Sequence, residues 1–552
     1  MISSARYWVL IALIVLVYIA GMFVTLFEND SAQFAVMAMR MVQENDFINL
    51  FKGPNEYLDK PHMHYWLAAL SFKIFGIYDW TYRIPGLLAT LLGAYSCYGL
   101  GKLLYNNDIG RFSALIFMTC QTIVLSVIDV RTDAVLTGFT ILAIWQLVAY
   151  IETNSLKNIA IGAFAAGIAF STKGQIALLV IGLCILCHMA YTRKWKLFLS
   201  WKVLVAVLVF ALAIAPMLYA YYHQFDLYPE KVIRGRSSRS GIFFIFWEQS
   251  FERLSGTGMG KNSSDYFFFF HTFLWVFLPW TALALIAYWW RMKSFVKLRF
   301  RYNPKYEFLT LGAITIIFFI ISFAQFKLPH YMNIMMPLYA ILTASYAHSL
   351  YRFTKEREIK ILLGIQYFIL SLVFIFSLLI CFYVFKFENW ISYVVLMVSL
   401  LTIAYFCLKR EAYYMRIITL SVCSSLLLNG ILNTHFYPSL LNYQGGSTMA
   451  EKVREKGISV ENIYKFSNRH TWALDFYNKR PVQIASLDEL SEKKDFWVYS
   501  DTNGLEQLKA SGFDWDEQIT VDQFRITRLQ LKFLEPSTRG KKLNKMHLVH
   551  IY

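Results

Sequence analysis

Residues 7–27 read YWVLIALIVLVYIAGMFVTLF, an unbroken stretch without one charged side chain. A hydrocarbon core about 30 Å thick is crossed by roughly 20 apolar residues of helix, so this stretch reads as a membrane span. It exceeds the apolar segment of about 7–15 residues in a secretory signal and lacks a small-residue cleavage site, which predicts a helix that is retained. Comparable runs follow near 81–101, 112–128, 133–151, 157–171, 174–191, 203–223, 268–290, 308–326, 329–349, 361–384, 389–408 and 417–434, thirteen with the first. With 57% hydrophobic and only 16% charged residues, the chain holds more apolar material than a soluble core can hide. The expected fold is a polytopic α-helical membrane protein of about 13 transmembrane helices over residues 1–444. A small α/β domain closes the chain over 445–552, with strands expected near 462–466, 482–485 and 496–500.

Basic residues gather in alternate loops: Arg193, Lys194, Lys196 and Lys202 in one, Arg291 through Lys305 in the next, then Arg352 through Lys360, then Lys409, Arg410 and Arg416. Positive charge favours the cytoplasmic side, which predicts a cytoplasmic N-terminus and an extracytoplasmic C-terminal domain. The net charge of +17 is then a record of topology and gives no reason to expect nucleic acid. All seven cysteines fall in the apolar runs. The outer domain therefore has no disulfide framework, and Cys184 and Cys187, though spaced C-x-x-C, sit inside a span where zinc or redox work is not expected.

Two outer segments, 28–80 and 224–267, exceed the length of simple connectors, and long loops in compact proteins tend to carry function. Asp30 precedes apolar residues at Phe34, Met37, Ala38, Met41 and Val42, one face of a helix expected to lie on the membrane surface. Its carboxylate reads either as an N-cap or as a catalytic base, with Glu28 as the nearby rival. The run Tyr57-Leu58-Asp59-Lys60-Pro61-His62-Met63-His64-Tyr65-Trp66 is either an aromatic belt with a snorkelling lysine or part of a site. Arg83 and Pro85 open the next span, and Asp129-Val130-Arg131-Thr132-Asp133 sits at the outer end of two helices, where Arg131 could simply pair with Asp129 or Asp133. Charges at that depth are costly and tend to be paired or functional. Lys60, Arg83, Lys173, Arg253 and Lys327 together suit a phosphorylated or otherwise anionic ligand. Asp59, His62, His64 and Glu248 are candidate ligands for a divalent metal, without the fixed spacing that would make the signal specific.

In order along the chain, these elements resemble the polyprenyl-phosphate-dependent glycosyltransferases of the GT-C class, in particular the lipid A aminoarabinose transferases and the protein O-mannosyltransferases. Asp30 with Phe34-Ala35 matches the family's first-loop acidic motif, although Ser31 replaces the second acid of the usual pair. The run 59–66 resembles an acid-Lys-Pro-Pro-x-x-Tyr-Trp element with His62 in place of the second proline. Tyr82-Arg83-Ile84-Pro85 resembles Ala-Arg-Leu-Pro, and Thr132-Asp133, Thr172-Lys173-Gly174 and Lys327-Leu328-Pro329-His330-Tyr331 match three further elements.

The resemblance implies an inverting glycosyltransferase of the bacterial inner membrane that takes sugar from a polyprenyl-phosphate donor. The acceptor would be lipid A, a glycan or a protein. Asp30 and Asp133 would be catalytic, and Lys60, Arg83, Lys173, Arg253 and Tyr331 would bind the donor phosphate. The family's His-Glu-His-Phe-x-Arg segment reads Glu248-Gln249-Ser250-Phe251-Glu252-Arg253 here, so a metal site would rest on Asp59 and Glu248, an oxygen pair suited to Mg²⁺, Mn²⁺ or Ca²⁺. The alternative is a transporter or flippase of an anionic lipid-linked sugar, disfavoured because the ionisable residues cluster at outer helix ends and no paired, broken spans repeat in two halves.

Overall fold

Each of the apolar runs is helical in the computed structural model of the chain, which describes residues 2–255, 262–353, 355–387, 390–408, 411–466 and 471–552; the side chains of Arg253, Leu254 and Cys407 lie outside the described set. Among the described residues, seven helices are long and apolar enough to cross a membrane: Ser4–Met22, Asp79–Leu104, Asp133–Thr153, Gln175–Thr192, Lys202–Asp226, Glu356–Val384 and Tyr413–Leu441. The pair Asn107–Thr119 and Gln121–Ile128, bent by 55°, makes an eighth if taken as one span. Leu309–Phe323 and Trp390–Phe406 are shorter apolar helices. Not every apolar run is one continuous helix where proline intervenes. The run at 268–290 splits into Phe268–Val276 and Thr281–Lys297 on either side of Pro279, and the run at 329–349 opens as a 3₁₀ turn, Pro329–Met335, before the helix Met336–Arg352. Proline lacks the amide an α-helix needs, so a run can be apolar throughout and still be broken.

The helix Asp30–Gln43 is covered on both sides, since residues 31–39 are all buried. Phe34 packs edge-on to Tyr65 with ring centroids 5.4 Å apart, in a cluster that also takes Ala473 and Phe476 from the C-terminal domain. At its far end Arg40 donates to the Gly53 carbonyl at 2.8 Å and lies 4.3 Å from the Phe51 ring centroid. That contact pins the hairpin of Phe51–Lys52 and Asn55–Glu56.

The C-terminal domain is built on a five-stranded sheet in the order Gln483–Ile484, Ile463–Lys465, Phe496–Asp501, Asn544–Ile551, Glu517–Gln523. The first three strands run parallel and the last two pair antiparallel. The three strands expected from the sequence are present, and the last two were not anticipated. Met546 through Val549 are buried consecutively, which erases the alternation that marks a half-exposed strand.

This domain is stitched to the segment that leads into Asp30. Glu28 is buried, and its two carboxylate oxygens accept from the Trp472 and Ala473 amides at 2.9 and 3.2 Å. The Glu28 amide donates to Gln444 Oε1 at 2.7 Å, and the Leu26 amide donates to the Tyr477 hydroxyl at 2.8 Å. Burial pushes the Glu28 carboxyl up to about 7 against the pull of those amides, with Asp475 adding to the rise. A carboxyl whose pKa is higher in the docked state than in the free one holds its proton more tightly when docked. Docking therefore weakens as pH climbs from the ordinary carboxylate range to about 7, by about 3 kcal/mol in all. Limited proteolysis of the purified protein should cut between the two parts faster at pH 8 than at pH 6, and Glu28→Gln should flatten that difference. A variant that keeps the full pH dependence would place its origin elsewhere.

Candidate functional site

Between the outer ends of the helices and the C-terminal domain lies a cavity of about 1450 Å³. Its wall includes Asp30, Asp129, Arg131, Asp133 and His330 from the membrane part, and Lys465, Trp472, Asp475, Arg525 and Arg528 from the C-terminal domain. Asn29, at φ 71°, turns the chain into the helix that Asp30 begins. Asp30 is thus the first helical residue rather than the N-cap, and its carboxylate is spent outward: Arg131 Nη1 lies 3.1 Å from Asp30 Oδ2.

From Arg131 a chain of charged groups runs inward. Its guanidinium also pairs with Asp129 at 2.8 Å and donates to His330 Nδ1 at 3.3 Å. His330 Nε2 faces Asp133 Oδ2 at 3.9 Å, and Asp133 Oδ1 takes the Lys173 ammonium at 2.6 Å. Lys173 lies 5.1 Å from the Tyr331 ring centroid. An Nδ1 that accepts from a guanidinium leaves the proton of a neutral imidazole on Nε2, toward Asp133. Arg131 is held above its ordinary pKa because the carboxylates of Asp129 and Asp30 outweigh its burial. Asp30, Asp133, Lys173 and Tyr331, which the sequence placed in one site, therefore do come together. Arg131 and His330 link them, a role the sequence did not reveal. His330 occupies a variable position of its motif, and Arg131 had an adjacent carboxylate on either side to explain it away.

Gly174, at φ 72°, makes the turn that follows Lys173. The positive φ favours glycine, and a Cβ there would meet Gln249 Oε1 at 2.7 Å and displace that side chain. Gln249 in turn donates to the Asp59 carbonyl at 2.6 Å and holds the second outer loop against the first. Lys60 is half-buried on that first loop, and its charge reaches both Asp133 and His330.

Other expectations are corrected. Arg83 is fully buried and does not line the cavity. It donates to the carbonyls of Ile128 and Met22 at 2.9 Å each, of Thr25 at 3.3 Å, and of Val24. The chain leaves its helix at 22–25, and Arg83 supplies donors to the carbonyls left over, which is a structural task. His62 and His64 are also structural. His62 Nε2 meets the Ile48 carbonyl at 2.7 Å, with burial pulling its pKa down to about 4, and His64 Nε2 meets the Tyr82 hydroxyl at 3.0 Å. Arg253 belongs to the helix Gln249–Ser255, but its side chain lies outside the described residues.

The proposed metal pair fares no better. Asp59 is ion-paired with Arg234, and Glu248 with Arg239 at 2.9 Å. Glu252 bridges the two guanidinia, at 3.2 Å from Arg234 and 2.5 Å from Arg239. Each carboxylate already carries a fixed cation, and among the described residues no group of three or more His, Cys, Asp or Glu gathers as a metal shell would. These residues do not fit a bound divalent ion.

A family model described as dolichyl-phosphate-mannose-protein mannosyltransferase matches residues 59–219. The undecaprenyl phosphate-alpha-4-amino-4-deoxy-L-arabinose arabinosyl transferase 2 of Proteus mirabilis is 26% identical over 345 residues, which is 61% of this chain and 58% of the relative. The corresponding transferase of Pseudomonas paraeruginosa is 25% identical over 343 residues, covering 61% of this chain and 57% of its own. The match thus spans less than three fifths of these relatives' length. The crystal structure of ArnT from Cupriavidus metallidurans bound to undecaprenyl phosphate superposes with a TM-score of 0.76 over 99% of this chain and 98% of that one, at 15% identity. The fold is therefore of the GT-C type, a multi-pass membrane bundle with a small C-terminal sheet domain.

Proposed function

We propose that this chain, of GT-C fold and resembling the polyprenyl-phosphate-dependent aminoarabinose transferases, is an inverting glycosyltransferase that takes a sugar from undecaprenyl phosphate and passes it to an acceptor in the cell envelope. The observation that carries the reading is the cavity whose wall holds two carboxylates, Asp30 paired with Arg131 and Asp133 paired with Lys173, linked through His330. The acceptor oxygen attacks the anomeric carbon, its proton passes to Asp30, and the bond from that carbon to the phosphate oxygen breaks with inversion. The electron pair leaves with the polyprenyl phosphate. Phosphate is a stable anion, so the step needs neutralisation of growing charge more than protonation of the leaving group.

We assign that task to Lys60 and Lys173, which do not line the cavity themselves but act on Asp133 in its wall, with Tyr331 packed under Lys173 and Arg253 on the helix Gln249–Ser255 as a further candidate. Asp133 keeps Lys173 in place. Arg234 and Arg239 take the positions a metal would neutralise, so the proposed chemistry draws on side chains alone. The orientation that follows has the N-terminus in the cytoplasm and the cavity on the outer face of the bacterial inner membrane.

The test is mass spectrometry of envelope lipids and proteins from a deletion strain complemented with wild type. One glycan should disappear on deletion and return on complementation, while the lipid-linked donor accumulates in its absence. The purified protein should carry out the same transfer in EDTA. An unchanged envelope with no accumulated donor would overturn the reading, and lipid movement without a covalent product would favour a flippase.

A further inference from the structure

At the end of the bundle away from the cavity, two segments carry cations and no acid. The helix Gln175–Thr192 starts at the Lys173–Gly174 turn and runs about 27 Å to Arg193. Residues 193–202 read RKWKLFLSWK and residues 291–306 read RMKSFVKLRFRYNPKY, without one aspartate or glutamate in either. The carboxylates that reach these segments are spent: Glu152 on His188 at 2.9 Å and Lys194 at 2.5 Å, and Glu307 on Arg291 at 3.2 Å. Arg193, Lys196, Lys297, Arg299, Arg301 and Lys305 are exposed, and among the described residues none of them has a carboxylate partner.

The fold joins the two segments. The Tyr191 hydroxyl accepts from the Asn303 amide at 2.8 Å, and its ring lies 5.3 Å from the Tyr302 ring, which sets Arg301 and Tyr302 beside the helix end that Arg193 follows. The Arg299–Phe300 turn is left-handed at both residues, φ 49° and 55°, and the Arg301 amide closes it on the Leu298 carbonyl at 3.0 Å. Glycine would take this turn without strain, so an arginine and a phenylalanine there point to a task for their side chains. On the first segment Leu197 packs against the cluster of Tyr150, Ile159 and Met189. The 3₁₀ turn Trp195–Leu199 is thereby held with Trp195, Phe198 and Leu199 exposed, as is Trp201 after it. Lys202 follows at once and opens a span whose Leu204, Val207, Leu208 and Leu212 are exposed. The aromatic side chains therefore stand where an apolar helix face begins, the depth at which headgroups lie.

We propose that Arg193 and Lys196 on one segment and Arg299 and Arg301 on the other bind the phosphate headgroups of anionic phospholipids in the leaflet opposite the cavity, with Trp195, Trp201 and Phe300 seated among those headgroups. Guanidinium forks match phosphate oxygens, and basic clusters at the ends of membrane helices attract anionic lipid. A soluble acidic partner would satisfy the cations and leave the aromatic side chains without a use, whereas a lipid surface takes both. Binding here is independent of sugar transfer, since the length of a span separates it from the cavity.

Native mass spectrometry of the full chain in detergent, titrated with dioleoyl phosphatidylglycerol, reads this surface directly. Each basic residue at a headgroup contributes enough that Arg299→Gln/Arg301→Gln should weaken lipid binding by about tenfold or more. Arg299→Lys/Arg301→Lys keeps both charges and should retain most of it. Lys541→Gln/Lys542→Gln removes two exposed cations from the C-terminal domain and should leave binding unchanged. Dioleoyl phosphatidylcholine should bind far more weakly than phosphatidylglycerol, and soluble polyglutamate should fail to displace the bound lipid. Unchanged binding in Arg299→Gln/Arg301→Gln would overturn the site, as would an equal loss in Lys541→Gln/Lys542→Gln. Equal binding of phosphatidylcholine would overturn the role of charge, and displacement by polyglutamate would overturn the lipid in favour of an acidic protein partner.

Discussion

Asp30→Asn abolishes most sugar transfer to a hydroxyl acceptor and leaves donor binding intact. Asparagine keeps the shape of the side chain and an oxygen that can accept from Arg131 at the present 3.1 Å separation, so the helix start and the Arg131 network survive. What is lost is the only property the proposed step needs from this residue, the capacity to take a proton. General-base contributions of this kind amount to about 10²–10⁴-fold, and the loss should appear in kcat with donor affinity unchanged. Against an acceptor that is already an anion, no proton has to be removed, and the same variant should lose far less. That contrast separates a base from a merely structural carboxylate. Asp129→Asn is the matched control, since Asp129 pairs with the same guanidinium at 2.8 Å but has no assigned part in proton transfer. Equal loss in Asp30→Asn and Asp129→Asn would mean that Arg131, and not Asp30, carries the effect.

The turn at Thr527, through Asn29, and the Glu28 clasp converge on one short stretch of backbone, residues 22–30. Arg83 holds that stretch from inside the membrane bundle, through the carbonyls of Met22, Val24 and Thr25, while Glu28 and Tyr477 hold it from the C-terminal domain. A base carried on an interhelical loop would otherwise share the mobility of loops.

What the sequence disclosed and what it hid divide along a physical line. Apolar runs are local, so the helices and their order could be read directly. Where Pro279 and Pro329 break a run, the run itself stays apolar and the break is invisible to a count of apolar residues. The motif residues Asp30, Asp133 and Lys173 were legible because charge at membrane depth is rare enough to stand out, and Tyr331 only through the motif it ends. That same rule misassigned Arg83: cost at depth explains why a guanidinium must be paired, but not whether its partner is a ligand or a frayed helix end. Only the folded loop brings Arg234 and Arg239 onto Asp59 and Glu248, the pair to which the sequence had assigned a metal. Arg525 and Arg528 carried no local signal, since an arginine in a soluble domain is unremarked until the fold brings it to the wall of the same cavity as Asp30.

Lys173→Met tests the innermost pair and should cost the protein both stability and activity. Asp133 and Lys173 are 5% and 8% exposed at their side chains, so each is the other's means of tolerating burial. Removing the ammonium leaves a buried carboxylate that faces His330 at 3.9 Å and feels the charge of Lys60. Breaking a buried pair from one side costs about 3–5 kcal/mol, mostly as the penalty on the charge left behind. The detergent-purified variant should melt several degrees below wild type. Asp133→Leu/Lys173→Met removes both charges and should recover most of the lost melting temperature, because an apolar pair of similar volume is often no less stable than an ion pair. Transfer activity should remain absent in that double variant. A pair that serves only packing would regain turnover along with stability, whereas a pair that holds the donor phosphate regains stability alone. Recovery of transfer in the double variant would therefore remove Asp133 and Lys173 from the site and leave Lys60 to neutralise the leaving phosphate with Arg253.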